Sequence, residues 1–338
     1  MARILITGGA GFIGSHTTRT LLDAGHEVVT YDSFNHYSAG TSPTFGENVA
    51  YRMAHLLGGA EMVRGSVYYR DSLRRHFQRI RPEYVIHLAA LSSAGAAIQE
   101  TEEAFEAIVQ GTLNLLEVSR DVDSIRKFVY VSSSMIYGDF KVVPIPEDAP
   151  KDPKEIYGGM KLASEILTTV YGRRYGVPYA IVRPSAVYGP TNNNRSVLQI
   201  FVENALRAEP ISVSNPETTY LDFTYVKDLA QGLALAALAP EAAGQEFNLT
   251  RGEGRSLAEA VEILRRHVPD VAVTARSEES GFRPLRGALD VSKARRLLGY
   301  APGYALEEGL AEYVAFVREH NPSLTRLRKM PARAARGA

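Results

Sequence analysis

Tyr157 and Lys161 stand four residues apart in Glu155-Ile156-Tyr157-Gly158-Gly159-Met160-Lys161, and a helix brings both to one face. A nearby ammonium favours the phenolate, so a phenol whose ordinary pKa is about 10 can act as a base well below it. Upstream, an apolar run at 127–131 ends in Ser132-Ser133-Ser134. A serine hydroxyl from such a strand end would hydrogen-bond the same substrate oxygen as the phenol. Phenol, ammonium and hydroxyl together move a proton on or off a carbinol while hydride leaves its carbon or returns. That chemistry needs a hydride carrier, and the start of the chain offers a place for one.

Ile4-Leu5-Ile6-Thr7 runs into Gly8-Gly9-Ala10-Gly11-Phe12-Ile13-Gly14, and a helical pattern begins at once. A strand that ends in glycines and opens a helix suits a pyrophosphate. The first N–H groups of the helix point outward, its dipole favours negative charge, and glycine permits close approach. Gly9, Gly11 and Gly14 fit G-x-G-x-x-G, while Gly8, Gly11 and Gly14 fit the looser G-x-x-G-x-x-G. The next apolar run, 27–31, ends at Asp32. A carboxylate there accepts both hydroxyls of an adenosine ribose and repels a 2′-phosphate, so the expected cofactor is NAD rather than NADP.

Alternating strands and helices must carry these residues. Strands are expected at 4–7, 27–31, 61–65, 84–88, 127–132, 178–182 and 246–249, and helices at 12–24, 71–80, 102–120, 155–175 and 225–238. This alternation predicts an α/β fold, a doubly wound parallel (Rossmann) sheet with ligands at the carboxyl ends of its strands. Residues 33–59 read as a long loop with a short helix at 47–57, and helices at 197–207, 256–267, 292–298 and 306–319 as parts of a smaller lobe. His87 has no second histidine or acidic cluster beside it, so a packed core histidine is expected and no metal site.

Lys plus Arg and Asp plus Glu both total 38, so no net field recruits nucleic acid or an anionic membrane. The absence of cysteine removes disulfides, thiolate metal sites and cysteine nucleophiles together. No apolar run reaches the roughly 18 residues that would span a bilayer, and the chain opens on a strand rather than a signal peptide. A soluble, cytoplasmic enzyme is expected, with a flexible basic tail at 324–338.

The glycine stretch 7–14, Asp32, His87-Leu88-Ala89-Ala90, the serines before Tyr137-Gly138, Tyr157-x-x-x-Lys161 and the stretch 183–190 (Arg-Pro-Ser-Ala-Val-Tyr-Gly-Pro) occur here in order, followed by related patterns at 221–228 and 289–299. Together they resemble the extended short-chain dehydrogenases/reductases, in particular the NAD-dependent nucleotide-sugar epimerase/dehydratase branch, from residue 1 to about 320. Counting back from Tyr137-Gly138, the resemblance implies Ser133 as the catalytic hydroxyl, acting with Tyr157 and Lys161. It implies a cofactor site of Gly8, Gly11, Phe12, Ile13, Gly14, Asp32, Ser33, Asn35, Ser66, Val67, Leu88, Ala89, Ala90, Tyr157, Lys161 and Pro184. For a nucleotide-diphosphate sugar, with UDP-sugars favoured, it implies Ser133, Ser134, Met135, Tyr157, Arg195, Val197, Arg283 and Arg286. Backbone near 196–198 and 211–213 would bracket the base. The cofactor-binding domain would comprise 1–177 and 222–249, the substrate lobe 178–221 and 250–320, and the helices 102–120 and 155–175 would form a homodimer interface.

Several positions depart from the family pattern. Dehydratases carry Asp and Glu after the catalytic hydroxyl. Here Ser134 and Met135 follow, and a thioether cannot act as a base, so Met135 is expected to pack under the nicotinamide. Gly65-Ser66 replaces a usual Gly-Asp, and Ala107, Ile108 and Val109 stand where an Asn is usual. Leu221 replaces an arginine that grips the diphosphate, which leaves Arg283, Arg286 and Arg195 as candidates for that charge. The reading that follows is an NAD-dependent nucleotide-sugar C4 epimerase with a transient 4-keto intermediate. The alternatives are a nucleotide-4-keto-6-deoxysugar 4-ketoreductase using NADH or NADPH and, against the presence of both Tyr157 and Lys161, a non-catalytic NAD-binding regulator.

Overall fold

A computed structural model of the chain describes residues 1–35, 42–91, 94–277 and 284–327. Seven strands form its central sheet: β1 (Arg3–Thr7), β2 (Glu27–Asp32), β3 (Glu61–Arg64), β4 (Tyr84–His87), β5 (Lys127–Val131), β6 (Tyr179–Arg183) and β7 (Gln245–Asn248). Every pairing is parallel, in the order β7-β6-β5-β4-β1-β2-β3. The chain starts at β1 and winds outward in both directions, so the strand order reverses beside β1. A crevice opens there at the carboxyl ends of the strands.

The continuous apolar run of β1 follows from burial on both faces. Ile4 and Ile6 point into one core with Val129, Leu229, Leu233 and Phe247. Leu5, between them, points into the opposite core with Tyr31, Phe77, Leu115 and Phe128. A third core, with Phe201, Val202, Ile211, Leu264, Leu310 and Val314, belongs to a smaller lobe. That lobe includes helices Val197–Leu206, Leu257–His267 and Leu306–His320.

Several boundaries differ from expectation. Residues 179–183 form β6, hydrogen-bonded between β5 and β7, so the sheet extends past the expected division at 178. The expected helix at 102–120 is a helix, Thr101–Phe105, a π-helical turn, Glu106–Gln110, and a second helix, Gly111–Arg120. The expected loop at 33–59 holds a helix, Phe45–Tyr51, that runs into another π turn, Arg52–Leu56. Buried polar groups tie this segment to the lobe. Ser42 Oγ donates to Glu203 Oε1 at 2.5 Å, Asn48 Nδ2 to the Asn192 carbonyl at 3.1 Å, and Asn321 Nδ2 to Asn48 Oδ1 at 3.0 Å. The basic tail does not begin at 324, because Leu324 is buried in the helix Pro322–Leu327.

His87 packs in the core as expected. Thr112 Oγ1 gives its proton to the Ile108 carbonyl at 2.5 Å and therefore accepts from His87 Nε2 at 3.1 Å. Nδ1 then accepts from Thr7 Oγ1 at 2.8 Å. Burial pushes the His87 pKa down to about 3, and that of His16 to about 4. Unfolded histidines bind a proton near pH 6.5, so these two make stability fall as pH drops below that point, until the folded rings protonate as well. Asp222, raised by burial to about 6, acts in the opposite direction between about pH 6 and 4. Glu147 and Asp228, also raised by burial, act with Asp222, while the two histidines pull the melting temperature down as pH falls from 6.5 toward 4.5. Replacing His87 by Gln should flatten that slope in a thermal denaturation series.

Candidate active site

The crevice at the strand ends encloses about 800 Å³ and is lined by Gly8, Gly11, Phe12, Ile13, Gly14, Asp32, Ser33, Asn35, Ser66, Val67, Leu88, Ala89 and Ala90. Of the two glycine patterns, the one with Gly8, Gly11 and Gly14 lines it. Gly8 has φ +70. A Cβ on Gly14 would stand 2.2 Å from the Gly8 carbonyl oxygen, and one on Gly8 would stand 2.8 Å from the Ala89 nitrogen. Gly9 instead lies against the side chain of Thr30. A side chain at Gly14 would spread the turn apart and one at Gly8 would strike the backbone after β4, which explains the glycines without a ligand; the open cradle they leave at the start of helix Phe12–Asp23 suits a pyrophosphate.

Asp32 is held in place by that turn. Its Oδ2 accepts from the Ala10 N–H at 3.0 Å and its Oδ1 from the Phe34 N–H at 2.8 Å. Across from it stands Arg52, which no sequence motif marks. This guanidinium is buried, its Nε has no hydrogen-bond partner, and burial lowers its pKa to about 10 against the pull of Asp32. Arg195, in a left-handed conformation at φ 50, also borders this crevice. Its N–H donates to Gln199 Oε1 at 2.8 Å. A glycine cradle, a fixed carboxylate and guanidinium groups match a dinucleotide in size and charge.

β5 delivers Ser133 as the N-cap of a short 3₁₀ turn, where its hydroxyl accepts from the Met135 N–H at 3.2 Å. The helix Ile156–Tyr175 delivers Tyr157, whose phenol lies within the electrostatic reach of that same hydroxyl. Burial pushes the Tyr157 pKa up to about 12, and Ser133 pulls against the rise. The expected lowering by Lys161 is not seen. The Lys161 ammonium donates to the Val131 carbonyl at 2.8 Å, stands 5.8 Å from the Tyr157 ring centre and is lowered by burial to about 7. A lysine so desolvated supplies little positive field until an anion arrives beside it.

A buried network behind these groups was also invisible in the motifs. Arg183, at the end of β6, donates from Nε and Nη2 to the two carboxylate oxygens of Glu165 at 2.9 and 2.8 Å. Its Nη1 reaches Tyr137 Oη at 2.9 Å and the Glu147 carbonyl at 2.8 Å. Tyr137 Oη donates to Asn248 Oδ1 at 2.9 Å. The strand end, the serine turn and the Tyr157 helix are thereby joined. The π turn contributes too, since the Ile108 carbonyl accepts from Ser164 Oγ at 3.1 Å as well as from Thr112. Such turns free a carbonyl for a side-chain partner.

On the substrate side, Pro184 accepts from the Ser134 N–H at 2.9 Å, and Ser134 and Ser185 hold Arg286. Val197 begins its helix and packs against the lobe core. Ile211 and Val213 are buried there, so only backbone could touch a base. Leu221, in the strand Tyr220–Asp222, also packs against that core. Arg283 lies outside the described residues. Among the described residues, no cluster of three or more His, Asp or Glu could hold a metal, and no helix is long and apolar enough to cross a membrane.

Comparison with known proteins agrees with this geometry. The model of the NAD dependent epimerase/dehydratase family matches residues 4–250. The chain is 30% identical to the UDP-glucose 4-epimerase of Mycolicibacterium smegmatis, over 94% of this chain and 98% of that protein. It superposes with a TM-score of 0.84 and 27% identity on the UDP-glucuronic acid 4-epimerase of Bacillus cereus, solved with UDP-glucuronic acid and NAD, covering 94% of this chain and 99% of that one. A dTDP-glucose 4,6-dehydratase of Streptomyces venezuelae, solved with NAD, gives 0.84 at 28% identity over 96% and 99% of the two chains. The protein is an enzyme of the NAD-dependent epimerase/dehydratase family, and its cofactor is NAD.

Proposed function

We propose that the enzyme is a nucleotide-sugar C4 epimerase acting on UDP-sugars, with Ser133, Tyr157 and Lys161 as its catalytic residues. The observation that carries this reading is the Ser133 hydroxyl against the Tyr157 phenol, followed by two residues, Ser134 and Met135, that offer no acid–base pair. NAD, when bound, supplies reversible hydride acceptance. Tyr157 Oη takes the proton of the C4 hydroxyl and returns it after the 4-keto sugar has turned in the site. Ser133 donates a hydrogen bond to the same oxygen. An anionic Tyr157 raises the pKa of Lys161 in turn, because opposite charges stabilise one another. Relatives named for UDP-glucose and UDP-glucuronic acid support UDP as the carrier.

The test is incubation of NAD-loaded protein with UDP-glucose or UDP-glucuronate and no reductant, followed by proton NMR. The galacto epimer should form without net reduction of NAD. Stoichiometric NADH oxidation by a 4-keto-6-deoxy sugar, with no epimer exchange, would instead assign the ketoreductase. We further propose a homodimer through the exposed Phe105, Ile166 and Val170 of the two interface helices. A monomer mass independent of concentration in light scattering would refute it.

A further inference from the structure

We propose that Arg286 recognises a carboxylate on the sugar next to the reacting carbon, so that the substrate is a nucleotide uronic acid. The inference rests on the epimerase reading for the position of C4. Arg286 Nη2 donates to Ser134 Oγ at 2.7 Å and to Ser185 Oγ at 2.8 Å, and its Nε has no partner. Among the described residues, no carboxylate forms an ion pair with it. The nearest fields come from Asp222 and Glu155. Asp222 is already committed to the Thr250 hydroxyl and to the N–H groups of Gly252 and Leu289. The two serines that hold the guanidinium are neutral and buried, and burial has lowered its pKa to about 10. A desolvated cation without a counter-ion is costly to keep, and an anion on the ligand removes that cost.

Position distinguishes which anion it is. Ser134 follows Ser133 directly and Ser185 follows Pro184, and the Ser134 N–H to Pro184 carbonyl bond, at 2.9 Å, locks these two strand ends side by side. The guanidinium is therefore anchored on the residue next to Ser133, whose hydroxyl meets O4 in the epimerase reading. In a pyranose, C5 and its C6 substituent adjoin C4, whereas the anomeric carbon that carries the diphosphate lies across the ring. A C6 carboxylate is within reach of a group placed here. A neutral C6 alcohol would leave the charge unanswered.

UDP-glucuronate and UDP-glucose share the diphosphate and differ at C6, so their kcat/KM ratio and their Kd ratio by calorimetry isolate this interaction. The wild-type, NAD-loaded enzyme should prefer the uronate in both. Arg286→Ala should lower the preference about 100-fold, as expected for loss of one charge-assisted hydrogen bond. Arg286→Lys, which keeps the charge, should retain part of it. No wild-type preference, or equal losses for both ligands in Arg286→Ala, overturns the inference and returns the guanidinium to the shared diphosphate. The C4 reading is tested separately by NMR: uronate-selective binding without epimer formation would reject the epimerase and leave the role of Arg286 standing.

Discussion

Tyr157→Phe should lower epimer exchange by about 10²–10⁴-fold, the range lost when a positioned general acid–base is removed. The change deletes one oxygen and keeps the ring against its neighbours, so NAD content and melting temperature should stay near those of the wild type. The variant gives up the phenol oxygen that faces Ser133. With burial holding the phenol near pKa 12 and Lys161 near 7, the resting site stores its proton on Tyr157 and releases it only when positive charge arrives beside it. Single-turnover exchange followed by NMR is the measurement. A loss smaller than tenfold would move the base elsewhere.

Glu165→Ala should cost about 3–5 kcal/mol of stability, because it leaves the Arg183 guanidinium charged and buried with no carboxylate. Thermal denaturation should show a fall of roughly 4–7 °C. Arg183 also holds Tyr137 and the Glu147 carbonyl, so the serine turn should loosen against the Tyr157 helix, and turnover should fall in the part of the population that stays folded. Replacing both partners by apolar residues, Glu165→Met with Arg183→Met, should recover much of the stability, since an apolar pair of similar volume needs no compensation. It should not recover the turnover, because Tyr137 would still lose its anchor. A single variant that melts with the wild type would mean that the pair does not stabilise the fold.

The parallel sheet could be read in advance because its strands are buried on both faces and therefore continuous in apolar residues, as in Ile4-Leu5-Ile6. The glycine cradle was readable for a similar reason: Gly8 and Gly14 occupy positions where any Cβ would strike backbone. The π turns at 52–56 and 106–110 were not, since the apolar pattern through a π turn differs little from that of a helix. Nor was the docking of residues 42–48 onto the lobe. Serine, threonine and asparagine there look like loop residues until Glu203, Asn192 and Asn321 are brought to them.

Sequence by itself determined the fold class and set Tyr157 and Lys161 one helical turn apart, because each is a local pattern whose geometry follows from helix or strand periodicity. Tertiary structure alone decided the state of those groups. It turned Lys161 toward a carbonyl rather than the phenol, set Arg52 in the field of Asp32, and placed Arg286 beside Ser134 with no carboxylate paired to it among the described residues. The reason is that proton affinity and charge depend on burial and on partners distant in the chain, and neither has a local signature in sequence.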